Sequence, residues 1–126
     1  MSVVGIGNDI LQVKRIANMA EQARERLAKR VLTPDEYQRY CDINQPERFL
    51  AKRWAAKEAA AKALGRGIAD GISFQHIEIR SLCTGQPTLH FSDRALAVAQ
   101  ELGANHWHIS LSDEQEYAVA FVVLSR

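Results

Sequence analysis

Apolar positions along this chain switch between a spacing of two and a spacing of three to four, and the switches mark its elements. Residues 2–8 are apolar and β-branched and end in glycines, which predicts a strand. Ile16, Met19, Ala20, Ala23 and Leu27 then recur at helical spacing, so one helix is expected over roughly 13–31. Thr33-Pro34-Asp35-Glu36 combines a capping box with proline at the first helical position and predicts a short helix at about 34–41. Pro46-Glu47 opens a third helix, for which Gly65 is a left-handed stop.

The second half alternates more tightly. Ile77 and Ile79 mark a strand within 72–80, Thr84-Gly85-Gln86-Pro87 is turn chemistry, and Thr88 to Phe91 is the return strand. Ser92 is placed to cap a helix from about Asp93 to Leu102, closed by Gly103. His106 to Ser112 and Tyr117 to Leu124 form a final strand pair joined by an acidic turn. The order β-α-α-α-β-β-α-β-β, with hairpins beside helices, predicts an α+β fold: helices packed on a largely antiparallel sheet.

At 126 residues the chain suits one domain with one core, 1–126. Its 47% hydrophobic and 25% charged content is that of an ordinary globular protein. Cys41 and Cys83 lack CxxC spacing and are expected to be free, buried thiols of a cytosolic protein. Neither a secretory leader pattern nor an apolar run near the ~20 residues of a membrane span is present, so a cytoplasmic protein without membrane partner is expected.

The net charge of +1 is unevenly spread. Residues 48–66 hold Arg48, Lys52, Arg53, Lys57, Lys62 and Arg66 against Glu58 alone, whereas 101–126 is acidic. Glu58-Ala-Ala-Ala-Lys62 reads by itself as a solvated helix with a favourable i,i+4 ion pair. The surroundings add to that reading. Leu50, Trp54, Ala61 and Leu64 form an apolar stripe, Lys57 falls inside it and Glu58 at its edge. Charges on nearly all sides of one helix call for a bound anion or metal, or for a Lys57 that snorkels to water. Asp9, in Gly5-Ile6-Gly7-Asn8-Asp9-Ile10, reads either as a helix cap or as a second site acid. Two carboxylates brought from distant elements suit a hard cation such as Mg2+, and neighbouring lysines and arginines suit phosphates. Two glycines are too few for a phosphate-binding loop. The four histidines lack a zinc pattern, and no nucleophile–base grouping stands out.

Gly5-Ile6-Gly7-Asn8-Asp9-Ile10, followed by Arg15-Ile16, resembles the opening motif of the holo-[acyl-carrier-protein] synthases, a family of 4′-phosphopantetheinyl transferases. The run from Arg48 to Gly65 resembles that family's long central motif. Gly67-Ile68, Phe74, Ile77-Glu78 and the Gly85-x-Pro87 turn follow in order, so the resemblance spans the whole chain. It implies a 4′-phosphopantetheinyl transferase-like fold. It also implies Mg2+-dependent transfer of 4′-phosphopantetheine from coenzyme A to a serine of apo-acyl carrier protein, in support of fatty acid biosynthesis. A homotrimer with active sites between subunits is implied as well. Asp9 and Glu58 match the family's metal-binding acids, with Lys62 beside them as a catalytic group. Arg53, Lys57, Lys62 and Gly65 match its coenzyme-binding motif. Arg15 and Met19 match the helix that docks carrier protein, and Arg24 and Arg26 extend its basic side. Many relatives carry a histidine just after the motif that reads here His108 to Ser112; this chain has Asp113-Glu114, so no histidine contact is expected there. Trp54 stands where phenylalanine is commoner.

Two other classes compete. A small basic module gripping nucleic acid would explain the cationic helix. It leaves Asp9 unexplained, and 7% aromatic residues make a poor single-strand stacking platform. A Mg2+-dependent phosphohydrolase would use the same acids with water as nucleophile. The transferase is the expectation that accounts for both motifs, with no nucleic-acid partner.

Overall fold

The computed structural model describes residues 2–126. Strand β1 spans Val3–Gln12 and is followed by helices α1 (Lys14–Ala17), α2 (Glu21–Val31), α3 (Pro34–Asp42) and α4 (Pro46–Ala63). A 3-10 turn at Phe74–His76 leads into β2 (Ile77–Ser81) and β3 (Pro87–Phe91). Helix α5 (Asp93–Glu101) and strands β4 (His106–Asp113) and β5 (Tyr117–Ser125) complete the chain. Strands β1-β5-β4 form one antiparallel sheet and β2-β3 a separate antiparallel hairpin. The α+β class and the largely antiparallel pairing are as expected.

Helix α4 is the centre of the molecule and packs along β1 and β5. Its small residues allow this. Ala55, Ala56, Ala59, Ala60 and Ala61 are all at most 1% exposed, so the alanines of the stretch that reads as a solvated helix lie inside the core. The sheet comes equally close from its own side. A Cβ on Gly5 would stand 2.2 Å from the Ala63 carbonyl oxygen, and one on Gly7 would stand 2.1 Å from that of Ala59. Only a strand without side chains at these positions approaches a helix backbone so closely. On the sheet's inner face Leu11, Ala118, Ala120, Val122 and Leu124 are buried. Ile6, Ile10 and Phe121 stand on the opposite face, 62%, 63% and 46% exposed.

Several boundaries differ from expectation. The glycines do not end β1: it continues to Gln12, so Asp9 lies within the strand, opposite Ala120. The residue at the N-cap of α1 is Val13, which removes the helix-cap reading of Asp9. The single helix over 13–31 is two helices, with Ala20 extended between them. On one straight helix, Ile16 would point about 60° and 120° away from Val31 and Ala28. All three are completely buried, and the break lets each reach the core. Of the expected 72–80 strand only the part from Ile77 onward is paired as a strand, the preceding turn being capped by Ser73, and Cys41 and Cys83, expected to be buried, are exposed thiols. Ser92 stands at the N-cap of α5, but its hydroxyl donates to the His76 carbonyl instead of capping the helix. The capping box at Thr33 and Glu36 is formed, and Gly65 is left-handed just beyond α4, with φ +83°.

Candidate active site

The close approach of β1 to α4 sets the position of Asp9. Gly5 lies against Ala63 and Gly7 against Ala59, so two residues of strand pass each turn of helix. The same progression carries Asp9 alongside the turns that hold Glu58 and Lys62. The Lys62 ammonium donates to Asp9 Oδ1 at 3.0 Å and to the Asn8 carbonyl oxygen at 3.0 Å. Glu58 is half-buried, and its carboxyl is pushed above the ordinary range. Burial is the largest cause and the Asp9 charge the second; Lys62, Trp54 and Arg30 act in the opposite sense. Two carboxylates close enough to repel, one partly desolvated, form a site that a hard cation would relieve. Among the described residues no group of three or more His, Cys, Asp or Glu side chains converges on one point. Asp9 and Glu58 would therefore hold Mg2+ with water and substrate oxygens completing its shell, which fits the way Mg2+ is bound.

Lys57 lies elsewhere. Its side chain has no exposed surface, and its ammonium donates to Glu36 Oε1 at 2.6 Å, the Val31 carbonyl at 2.6 Å and the Phe74 carbonyl at 3.1 Å. An ammonium has three donors, and all three are used, so none is left for a phosphate. Lys57 neither snorkels nor awaits an anion from solution; its counter-charge is Glu36. That carboxylate also accepts from the backbone N–H of Thr33 and of Ile79, which ties α3, α4 and β2 together.

Arg53 shares Glu36 but is less well served. Its Nε stands 3.9 Å from Glu36 Oε2, is buried, and has no hydrogen-bond partner among the described residues. Its guanidinium lies 4.6 Å from the centroid of the Phe49 ring. Two buried cations facing one carboxylate leave positive charge in surplus, and burial holds the Arg53 pKa below its ordinary value. Arg53 lines a cavity of about 480 Å³ together with Arg39, Arg48 and Lys52, closed on one side by the turn containing Gly85 and by Leu111. Of this group, the family motif in the sequence points to a coenzyme role for Arg53 alone. The signal for the others was the surplus of basic residues from 48 onward, but the part played by Arg39 depends on how α3 packs. Arg30 of α2 also acts on Glu58, in the sense that lowers its pKa.

Arg48 is about 15 Å from Glu58 along α4 and on a different side of that helix, so the cavity and the carboxylate pair open in different directions. Gly65 is exposed at the end of α4, and a Cβ there would meet nothing within 4 Å. Arg15 is exposed on α1 with its guanidinium 5.4 Å from the Trp54 ring centroid, and Met19 is half-buried in the break after α1. Arg26 is exposed, whereas Arg24 is paired with Glu47 at 3.1 Å.

Opposed carboxylates and a cationic cavity are the equipment of phosphoryl-group chemistry on a nucleotide-like molecule, and a sequence model of the 4′-phosphopantetheinyl transferase superfamily matches residues 5–122. The holo-[acyl-carrier-protein] synthase of Shewanella frigidimarina is 55% identical over 124 residues, covering 98% of each chain. Among solved structures, the synthase of Neisseria meningitidis superposes with a TM-score of 0.89 at 38% identity, over 99% of this chain and 100% of the other. The synthase of Bacillus anthracis, in complex with CoA (3′,5′-ADP), superposes at 0.80 with 36% identity, over 97% and 96%. This chain belongs to the holo-[acyl-carrier-protein] synthases.

Proposed function

We infer that this chain transfers 4′-phosphopantetheine from coenzyme A to a serine of apo-acyl carrier protein, releasing adenosine 3′,5′-bisphosphate, in support of fatty acid biosynthesis. The observation that carries the mechanism is the opposed pair of Asp9 and Glu58 with Lys62 at 3.0 Å from Asp9. Asp9 and Glu58 would hold Mg2+, which would supply charge neutralisation for the departing bisphosphate and polarisation of the phosphoryl group. Glu58, whose carboxyl is held above its ordinary range by burial and by the Asp9 charge, takes the proton from the carrier serine. Lys62, anchored by Asp9 and the Asn8 carbonyl, keeps its cationic head at the pair and counters leaving-group charge. The carrier serine is the nucleophile, so the chain needs none of its own.

Arg53 and its neighbours Arg39, Arg48 and Lys52 hold phosphate of the same coenzyme, an anion that matches their surplus charge. Their cavity and the carboxylate pair open in different directions, so one coenzyme spans both when two subunits meet. The exposed apolar sheet face, with Ile6, Ile10 and Phe121, is the surface on which they meet, in a homotrimer. Gly65 leaves room for the coenzyme at the end of α4. Arg15 and Met19, with Arg26 and the partly engaged Arg24, receive the acidic carrier. No helix among the described residues is long and apolar enough to cross a membrane.

The test is the intact mass of apo-acyl carrier protein after incubation with this protein, coenzyme A and Mg2+, beside a chelated control. A gain of one phosphopantetheine, lost on chelation, is expected. No gain with a folded enzyme and several carriers overturns the assignment.

A further inference from the structure

The β4–β5 turn makes a contact that the transfer chemistry does not call for. Asp113, at the end of β4, reaches back to the first half of α4. Its Oδ2 accepts from Arg48 Nη1 at 3.1 Å, and its Oδ1 stands 3.5 Å from the Lys52 ammonium. Both cations line the cavity that holds Arg53, whereas Asp113 itself does not line it. Arg48 has further anchors on the same turn, the carbonyl oxygens of Glu114 and Gln115, the latter at 2.9 Å. The four cations of the cavity are therefore in two states. Arg48 and Lys52 already face a carboxylate. Among the described residues Arg39 pairs with no carboxylate, having the Ser81 hydroxyl at 3.3 Å and the Phe49 ring centroid at 5.7 Å, and Arg53 Nε lacks an acceptor.

We propose that Asp113 sets the enzyme's affinity for its anionic donor by engaging Arg48 and Lys52 and weakening the cavity's pull on phosphate. The sign follows from the contacts. Were Asp113 the sole anchor of Arg48, its loss would let the guanidinium swing away and binding would weaken. The two carbonyls keep Arg48 in place without it, so losing the carboxylate removes negative charge and leaves the cation positioned. Asp113 is a stand-in anion that an incoming phosphate displaces, first from Lys52, where its contact is longer. Both side chains of each pair are about one-quarter to one-third exposed, so the contact can exchange with a ligand. The inference rests on the reading of the cavity as the coenzyme phosphate site.

The experiment measures binding of coenzyme A and of adenosine 3′,5′-bisphosphate by calorimetry to the full-length protein, its Asp113→Asn and Asp113→Ala variants, and an Arg39→Ala variant. Removing one unit charge near a multiply charged ligand should tighten binding about three- to tenfold at low salt and less at high salt. Both Asp113 variants are expected to show this, with unchanged thermal midpoints reporting intact folding. Arg39→Ala should weaken binding. Unchanged or weaker binding in both folded Asp113 variants, beside the expected loss in Arg39→Ala, overturns the role of Asp113 alone. If Arg39→Ala binds as tightly as the parent, the cavity is not the coenzyme phosphate site and the underlying reading fails.

Discussion

The Lys57 ammonium donates to the Glu36 carboxylate at 2.6 Å, and the lysine has no exposed surface. Lys57 precedes Glu58 in sequence, yet the two side chains have separate tasks. One joins α4 to the capped start of α3; the other faces Asp9 across the gap that Gly5 and Gly7 close. Burial and the pull of Glu36 act on the lysine in opposite directions, and the ion pair is tolerated because both remaining donors find carbonyls.

Removing the lysine head should therefore be felt in stability. Lys57→Met leaves Glu36 buried beside an imperfectly placed Arg53 and is expected to cost about 3–5 kcal/mol in urea unfolding. Lys62→Met, at a side chain 51% exposed, should cost less than about 1 kcal/mol and act on turnover instead. A Lys57→Met protein of parental stability with a raised KM for coenzyme A would return Lys57 to the coenzyme site.

Glu58 should show the reverse balance of function and stability. Its folded-state pKa lies above its ordinary value, so its favourable contribution is present at pH below the unfolded pKa and is lost as pH rises through the folded one. At neutral pH in metal-free buffer, the charged Glu58 beside Asp9 opposes folding. Glu58→Gln should raise the thermal midpoint at pH 7, and the gain should vanish near pH 4. The group is only half-buried, so solvent screening keeps the effect under about 1 kcal/mol. Transfer to carrier protein should fall to background in the same variant. A variant that retains transfer removes Glu58 from the proposed chemistry, whatever its midpoint.

The carboxylate pair was legible because both acids sit in distinctive runs, and the helices were legible wherever local chemistry starts or stops them. Thr33 with Glu36, Pro46 and Gly65 act on their own neighbours, and the structure follows them. What escaped depends on partners remote in sequence. Lys57 looks like a phosphate ligand until α3 supplies Glu36 from 21 residues away. Gly5 and Gly7 look like a turn until α4 arrives against them. The break at Ala20 has no proline or glycine to announce it; Ile16, Ala28 and Val31 impose it by all being buried. The cationic cavity draws residues from α3, α4 and the β2–β3 turn, so no single stretch spells it out.

The Gly7 contact makes a further prediction. In Gly7→Ala the new methyl would meet the Ala59 carbonyl oxygen at 2.1 Å, and that atom is backbone held within a buried helix. The strand has to lift, at about 1–3 kcal/mol. Lifting β1 moves Asp9 away from Glu58 and Lys62, so transfer should fall by more than the loss of folded protein explains. Thermal unfolding and turnover per folded molecule separate the two effects. Full specific activity in Gly7→Ala would mean that the approach of β1 does not set the acid pair.

Carrier docking is tested by charge reversal on α1. Arg15 is exposed, and its guanidinium is stacked 5.4 Å from the Trp54 ring centroid, so it presents a fixed positive charge next to the turn of α4 that holds Glu58. An acidic carrier protein engaging that charge gains up to about 1 kcal/mol from an exposed pair, and reversal replaces the gain with a repulsion of similar size. Arg15→Glu is therefore expected to raise the KM for apo-acyl carrier protein about three- to thirtyfold, most strongly at low salt. The KM for coenzyme A should stay within about twofold, because the cationic cavity is built from other elements. Steady-state kinetics with each substrate varied in turn decide the matter. If the two constants rise together, Arg15 acts on the active site as a whole; if neither moves, the carrier docks on another face.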